Sequence, residues 1–297
     1  MIHRLPKMTR IPALVLSGMI LAVLIGPLLF PHAYDLPGEM TYAPPSLAHL
    51  CGTDLNGRDL LLRILEGGRI SLLVGICGAA ISLVIGTTYG LVAGSSRNSV
   101  DNSMMRFVDI LYSVPRLIFI LIFINAFNER LQLAASNHGW EWLVGSSRLV
   151  ILILSLGIIE WLTMARIVRG QTLTLRERSY VAAARVLGEG YWTILWRHLL
   201  PNLAGIILVY LTLAIPSVII DEAFLSFLGL GVQAPQSSWG SLLAEGASAI
   251  NPLKGAWWLI LFPSIALLTT LLALYSLGDA LRRSIGAKGG LRRRLLD

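Results

Sequence analysis

The sequence predicts an all-α fold, a polytopic membrane bundle of six transmembrane helices with one further short helix on the cytoplasmic side. Three observations carry this. Apolar residues make up 55% of the chain and charged residues only 14%, with a mean hydropathy of +0.70, far from the balance of a soluble domain. Six apolar stretches, at 11–30, 70–93, 107–127, 149–168, 199–220 and 255–277, each approach the ~20 residues needed to cross a bilayer as a helix. Lys and Arg also alternate in density between successive loops.

The basic residues orient the bundle. One side would hold Arg4, Lys7, Arg10, Arg97, Arg106, the six arginines from Arg166 to Arg197 and six more basic residues from Arg282 onward. The other side holds Arg58, Arg63, Arg69, Arg130, Arg148 and Lys254, with Arg116 inside a span. Seventeen against six places both termini in the cytoplasm. The net charge of +7 therefore reads as a topological signal, and nucleic-acid binding is not expected.

The first stretch has the basic start of a signal peptide. Its apolar run is longer than a signal's hydrophobic region, and no small-x-small cleavage site follows Phe30, so it reads as a retained span. Cys51 and Cys77 fall in a loop and in a span, which implies neither a metal cluster nor a disulfide framework. In the loop between the first two spans, Asp54, Asn56 and Gly57 read as a tight turn with Asx hydrogen bonds. The spacing lacks the ligand set of a calcium loop. The second span bears a ridge of small residues, Gly78, Ser82, Gly86, Gly90 and Gly94, each four apart. Such a ridge lets two helix backbones approach closely, within this chain or against a partner. The third span contains Asp109, Pro115 and Arg116, with a kink expected at the proline. Glu160 is the intramembrane charge of the fourth. Charges at this depth are costly, so these three either pair with one another and snorkel or line an aqueous path.

Between the fourth and fifth spans lies the most informative stretch, SYVAAARVLG at residues 179–188, followed by His198 to Asn202. Ser179 suits an N-cap and Gly188 a left-handed C-terminal position, with nothing between them that breaks a helix. Arginines flank the stretch on both sides. A cation-rich helical loop belongs at the cytoplasmic headgroups, where a soluble partner can reach it. After the fifth span, a loop from 221 to 254 is expected to hold a short outer interfacial helix, with Trp239, Trp257 and Trp258 at headgroup level.

Residues 179–202 resemble the EAA loop of ABC importer permeases. Ala183, Ala184, Gly188, Leu200 and Pro201 fall on the motif's spacing. Ala182 stands where that family has Glu, and His198 stands at an apolar position. Residues 52–59 with 69–75, the LSFLGLG run at 225–231 followed by Trp239-Gly240, and LGDALR at 277–282 are similar to the peptide/nickel branch, so the resemblance covers about 51–288. It implies a coupling helix at 179–188 that docks on an ATPase through Tyr180, Ala182, Ala183, Ala184, Arg185, Leu187 and Gly188. It also implies a division into residues 1–66 (N-terminal stub, first span and outer loop), a five-helix permease core at 67–288, and a basic cytoplasmic tail at 289–297. The implied setting is a bacterial inner membrane. The implied partners are a homologous second permease, two ABC ATPase subunits, an extracytoplasmic solute-binding protein and membrane lipid.

No GxxxxGK[ST] phosphate loop and no HExxH, GxSxG or paired-cysteine motif occurs in the chain. Catalysis by this chain is therefore not expected, nor a cofactor of its own; ATP and Mg would be used by the partner subunits. The five histidines are scattered without metal-ligand spacing. The rival readings are a self-sufficient secondary transporter or channel, relaying charge through Asp109, Arg116 and Glu160, and a non-transporting membrane scaffold.

Overall fold

The computed structural model describes residues 7–29, 36–234, 236–249 and 255–294; Arg4, Phe30, Lys254 and the last three residues of the basic tail fall outside them. In chain order the helices are α1 (Lys7–Leu29), α2 (Leu60–Ser95), α3 (Asn98–Ser113), α4 (Arg116–Asn137) and α5 (Glu141–Arg176). They are followed by α6 (Ser179–Val186), α7 (Tyr191–Thr193), α8 (Leu200–Phe227), α9 (Trp239–Ala249) and α10 (Trp258–Arg294). A π-helical turn, Ile194–Leu199, joins α7 to α8. Six of these stretches are long and apolar enough to cross a membrane, so the chain is a multi-pass helical bundle.

The expected spans differ in extent from the observed helices, and for three of them the cause is visible. The second starts ten residues early, at Leu60, because the Asp59 carboxylate caps the helix by accepting from the Leu61 and Leu62 N–H groups at 2.9 and 3.2 Å. This satisfies two donors that would otherwise be orphaned. The third span is not a kinked helix but a broken one. Val114 is extended (φ −78°, ψ 127°) because the ring of Pro115 disfavours helical geometry in the residue before it. Residues 98–113 therefore form the separate amphipathic helix α3, and the crossing segment begins at Arg116. The fifth span runs on through Asp221 and Glu222 to Phe227, so the expected loop begins seven residues late. The two carboxylates remain helical because both find partners inside the bundle.

The small-residue ridge of α2 packs internally, against α5. A methyl group added at Gly86 would meet Met164, at Gly90 the carbonyl of Ala165 and the side chain of Val168, and at Gly94 Thr172. The absent side chains let the two 36-residue helices lie backbone to backbone, and α2 with α5 is the most extensive pair in the fold. By contrast, α1 touches α2 and α10 mainly through Leu16, Met19 and Val23. Its remaining apolar residues, among them Ile11, Leu14, Leu21 and Leu28, face outward.

One end of the bundle is knotted by α9. Trp239 is fully buried and its indole N–H donates to the carbonyl of Ile64 at 3.0 Å; Trp258 is buried too and donates to the carbonyl of Thr53 at 3.2 Å. Only Trp257 of the three expected interfacial tryptophans is exposed, at 55%. Trp239 and Trp258 are inside because each finds an internal carbonyl for its single donor, which removes the need for a wet edge. Glu222 is fully buried, and its two oxygens accept from the Ser71 hydroxyl at 2.9 Å and the Ser226 hydroxyl at 2.7 Å. Those hydroxyls accept in turn from the Trp239 and Val232 amides. Gly231 and Gly240 are required here because a side chain on either would overlap Ser226 or the Ala223 backbone. The LSFLGLG…WG run is thus the chain's means of folding α9 back onto α2 and α8. Arg63 completes the knot by bonding Asp54 at 2.7 Å and Glu245 of α9 at 2.9 Å. Asp54 also forms the expected Asx turn, accepting from the Asn56 and Arg58 amides at 2.8 and 2.9 Å.

Candidate functional site

The candidate expected on the cytoplasmic side is α6. Its eight residues are SYVAAARV; the three alanines and Arg185 are good helix formers and nothing in the run breaks a helix. The N-cap is Arg178 rather than Ser179, and no side chain caps it. Ser179 is already helical, because the Val181 and Ala182 amides bond to the Arg178 carbonyl. The C-terminus closes as the sequence predicts. Gly188 adopts φ +79°, its N–H reaches the Arg185 carbonyl at 3.0 Å, and the Glu189 N–H reaches the Ala184 carbonyl at 3.1 Å. This pair of bonds is the Schellman motif, which only glycine enters without a steric penalty.

One face of α6 is a floor and the other is bare. Val181 (0% exposed) and Ala184 (4%) pack with Val168, Ile194, Leu195, Leu199 and Leu203, a burial worth about 1.5–3 kcal/mol for the valine. Ala184, expected among the docking residues, is therefore part of the floor. On the other face Ala182, Ala183 and Arg185 are exposed. Val186 and Leu187 stand 87% and 81% exposed, and Tyr180 38%. Burial pushes the Tyr180 phenol up, and the nearby Arg178 opposes that rise. Several links brace the helix from behind. His198 Nε2 pairs with Glu189 at 2.7 Å, Tyr191 shares a 2.7 Å hydrogen bond with Ser95 at the end of α2, and Arg176 donates to the carbonyls of Gly94 and Ser96.

Of the expected intramembrane charges, the structure brings two together and sets one apart. Asp109 lies on α3, exposed, where it accepts from Arg166 at 2.6 Å; an exposed pair of this kind adds little stability. Next to it, Arg169 and the buried Asp101 form a two-pronged pair at 2.8 and 2.7 Å. Arg116, the first residue of α4, donates to Glu160 of α5. The same guanidinium nitrogen lies 2.7 Å from a carboxylate oxygen of Asp221 on α8. Asp221 was missed because its stretch reads as loop; its partner Arg116 was the available signal, since a cation inside a membrane calls for a carboxylate nearby.

A cavity of about 220 Å³ opens between the α3–α4 break and α5, lined by Tyr112, Ser113, Arg116, Glu160 and Thr163. A second, of about 270 Å³, lies between α2, α5, α8 and α10 and includes Ser82, Glu160, Tyr210, Ser217 and Tyr275. Among the described residues no group of three His, Cys, Asp or Glu side chains converges as a metal site would require.

Residues 86–287 match the family described as the inner membrane component of binding-protein-dependent transport systems. The chain belongs to that family. As a member of this permease family it is an integral transport component of the inner membrane. It is 40% identical over 278 residues to the oligopeptide transport system permease protein OppC of Haemophilus influenzae, covering 93% of this chain and 83% of that one. It is 37% identical to the dipeptide transport system permease protein DppC of Bacillus subtilis over 276 residues (92% and 80%). With the glutathione transport system permease protein GsiD of Pectobacterium atrosepticum it shares 36% identity over 244 residues (82% and 74%). The family match begins within α2 and ends within α10, so it takes in α6, the Arg116 cluster and α9, and leaves out α1 and the outer loop.

Proposed function

We propose that this permease forms half of the translocation path of an ATP-driven importer of peptides or related small solutes, with both termini in the cytoplasm. Its partners are a homologous second permease, two ABC ATPase subunits and an extracytoplasmic binding protein, in a lipid bilayer and without nucleic acid. The chain is not an enzyme; ATP and Mg belong to the ATPases. Substrate class follows from the likeness to oligopeptide, dipeptide and glutathione permeases.

One observation carries the mechanical part. An eight-residue helix seats two apolar residues on a packed floor and presents Val186, with Leu187 at its C-cap, almost fully to solvent, on the arginine-rich side of the bundle. Large exposed aliphatic side chains beside cations mark a surface built to be covered by another protein. ATPase closure would move α6, and through the braced α7–α8 connection would tilt α8 against α5, alternating access to the central path. The test is purification of Leu187→Asp with the whole transporter in vesicles. ATPase subunits should be lost from the complex and uptake should cease. Full recovery of ATPases with unchanged uptake would overturn the docking role.

A further inference from the structure

The cavity of about 270 Å³ between α2, α5, α8 and α10 is walled by residues from the interiors of those helices, and its hydroxyls have nothing to bond. Ser82 lies deepest, 1% exposed, and its Oγ is buried without a hydrogen-bond partner. A buried helix hydroxyl ordinarily turns back to a carbonyl one turn earlier, as Ser155, Thr172 and Thr270 do here at 2.8, 2.7 and 2.8 Å. Ser82 makes no such bond, so its hydroxyl is left for whatever enters the cavity. The hydroxyls of Tyr210, Ser217 and Tyr275 line the same space, and among the described residues none of them has a partner. Glu160 touches the cavity too, but Arg116 already holds it. Four unpartnered hydroxyls from three helices therefore face one space. That space has room for about nine waters and lies near the lower end of the ~300–1,000 Å³ usual for small-molecule sites.

We propose that Ser82, Tyr210, Ser217 and Tyr275 form a subsite for the backbone amides of a passing peptide. A hydroxyl both donates and accepts, so each can face either the carbonyl or the N–H of an amide. Every peptide carries those groups, whatever its side chains. Met164 and Leu213, between the hydroxyls, give the peptide's side chains an apolar wall that selects no charge. The inference rests on the reading of the chain as the permease half of a peptide importer. Water could satisfy the same hydroxyls, and the experiment separates the two occupants.

The probe is the tripeptide alanyl-photoleucyl-alanine, irradiated during uptake by the whole transporter in vesicles, with adducts mapped by mass spectrometry. Adducts should form on Met164, Leu213 or Tyr275. The double variant Tyr210→Phe with Tyr275→Phe keeps both rings and the ATPases. It should cut the adduct yield roughly tenfold, the order expected when two ordinary hydrogen bonds are lost. If that pair fails to assemble, Ser82→Ala with Ser217→Ala carries the same test. Adducts confined to other residues, with uptake intact, mean that the cavity holds water only; that overturns the subsite and leaves the importer reading standing. Cavity adducts whose yield is unchanged in both pairs of variants overturn it as well. Absence of both uptake and adducts in the wild-type transporter overturns both readings.

Discussion

The knot around α9 and the short helix α6 are built on opposite plans. In the knot, a buried tryptophan, a buried glutamate and two glycines with no room for a side chain leave nothing to rearrange. In α6, one face is anchored and the other is offered to solvent. Substitutions in the knot should therefore register as lost stability, and substitutions on the bare face of α6 as lost coupling in a chain that still folds.

Trp239→Ala should break the knot most severely. It removes a fully buried ring and the indole hydrogen bond to the Ile64 carbonyl, costing about 3–5 kcal/mol and read as a large drop in melting temperature in detergent. Gly240→Val comes next. Its side chain has to displace the Ala223 backbone, an overpacking cost of about 1–3 kcal/mol visible in the same melt. Gly188→Val sharpens the contrast: it forces a β-branched residue to φ +79° at about 1–2 kcal/mol, yet its side chain would meet no neighbour. The melt should shift little while transport per ATP hydrolysed in vesicles falls; wild-type coupling would sink the lever reading. The smallest effect concerns Cys51 in the outer loop. Burial, and secondarily the charge of Asp59, push its thiol up. Less thiolate is then present at any given pH, so alkylation by iodoacetamide at pH 8 should be slower than for a free thiol, with its pH midpoint displaced upward.

The plans of these two regions were unequally legible. The cap at Gly188, the Asx turn at Asp54 and the six spans follow from local chemistry, which a sequence displays directly. The knot does not, because its partners are far apart in the chain. Trp239 reads as an interfacial anchor until Ile64 is seen to accept its proton, and Glu222 reads as loop until Ser71 and Ser226 surround it. Asp221 escaped for the same reason: hydropathy ends the fifth span where the first carboxylate appears, whereas the helix continues because Arg116 waits on another element. The run LSFLGLG…WG was recognisable as a resemblance, but its physical purpose needed the third dimension. The inner charges divide similarly. Asp109 and Glu160 stood out as anomalies, yet only geometry pairs the first with Arg166 and the second with Arg116.

The wide turn at Ile194–Leu199 has a consequence for chain length. Such a turn accommodates one residue more than an α-helix would, and one residue corresponds to about 100° of rotation. Deleting a single residue there would let the segment relax to ordinary helix and would spin α8 by roughly that angle. Some 20 residues on, about 30 Å away, Asp221 and Glu222 would then point at the wrong neighbours. The azimuth of the acidic end of α8 is set by a residue count beside α6.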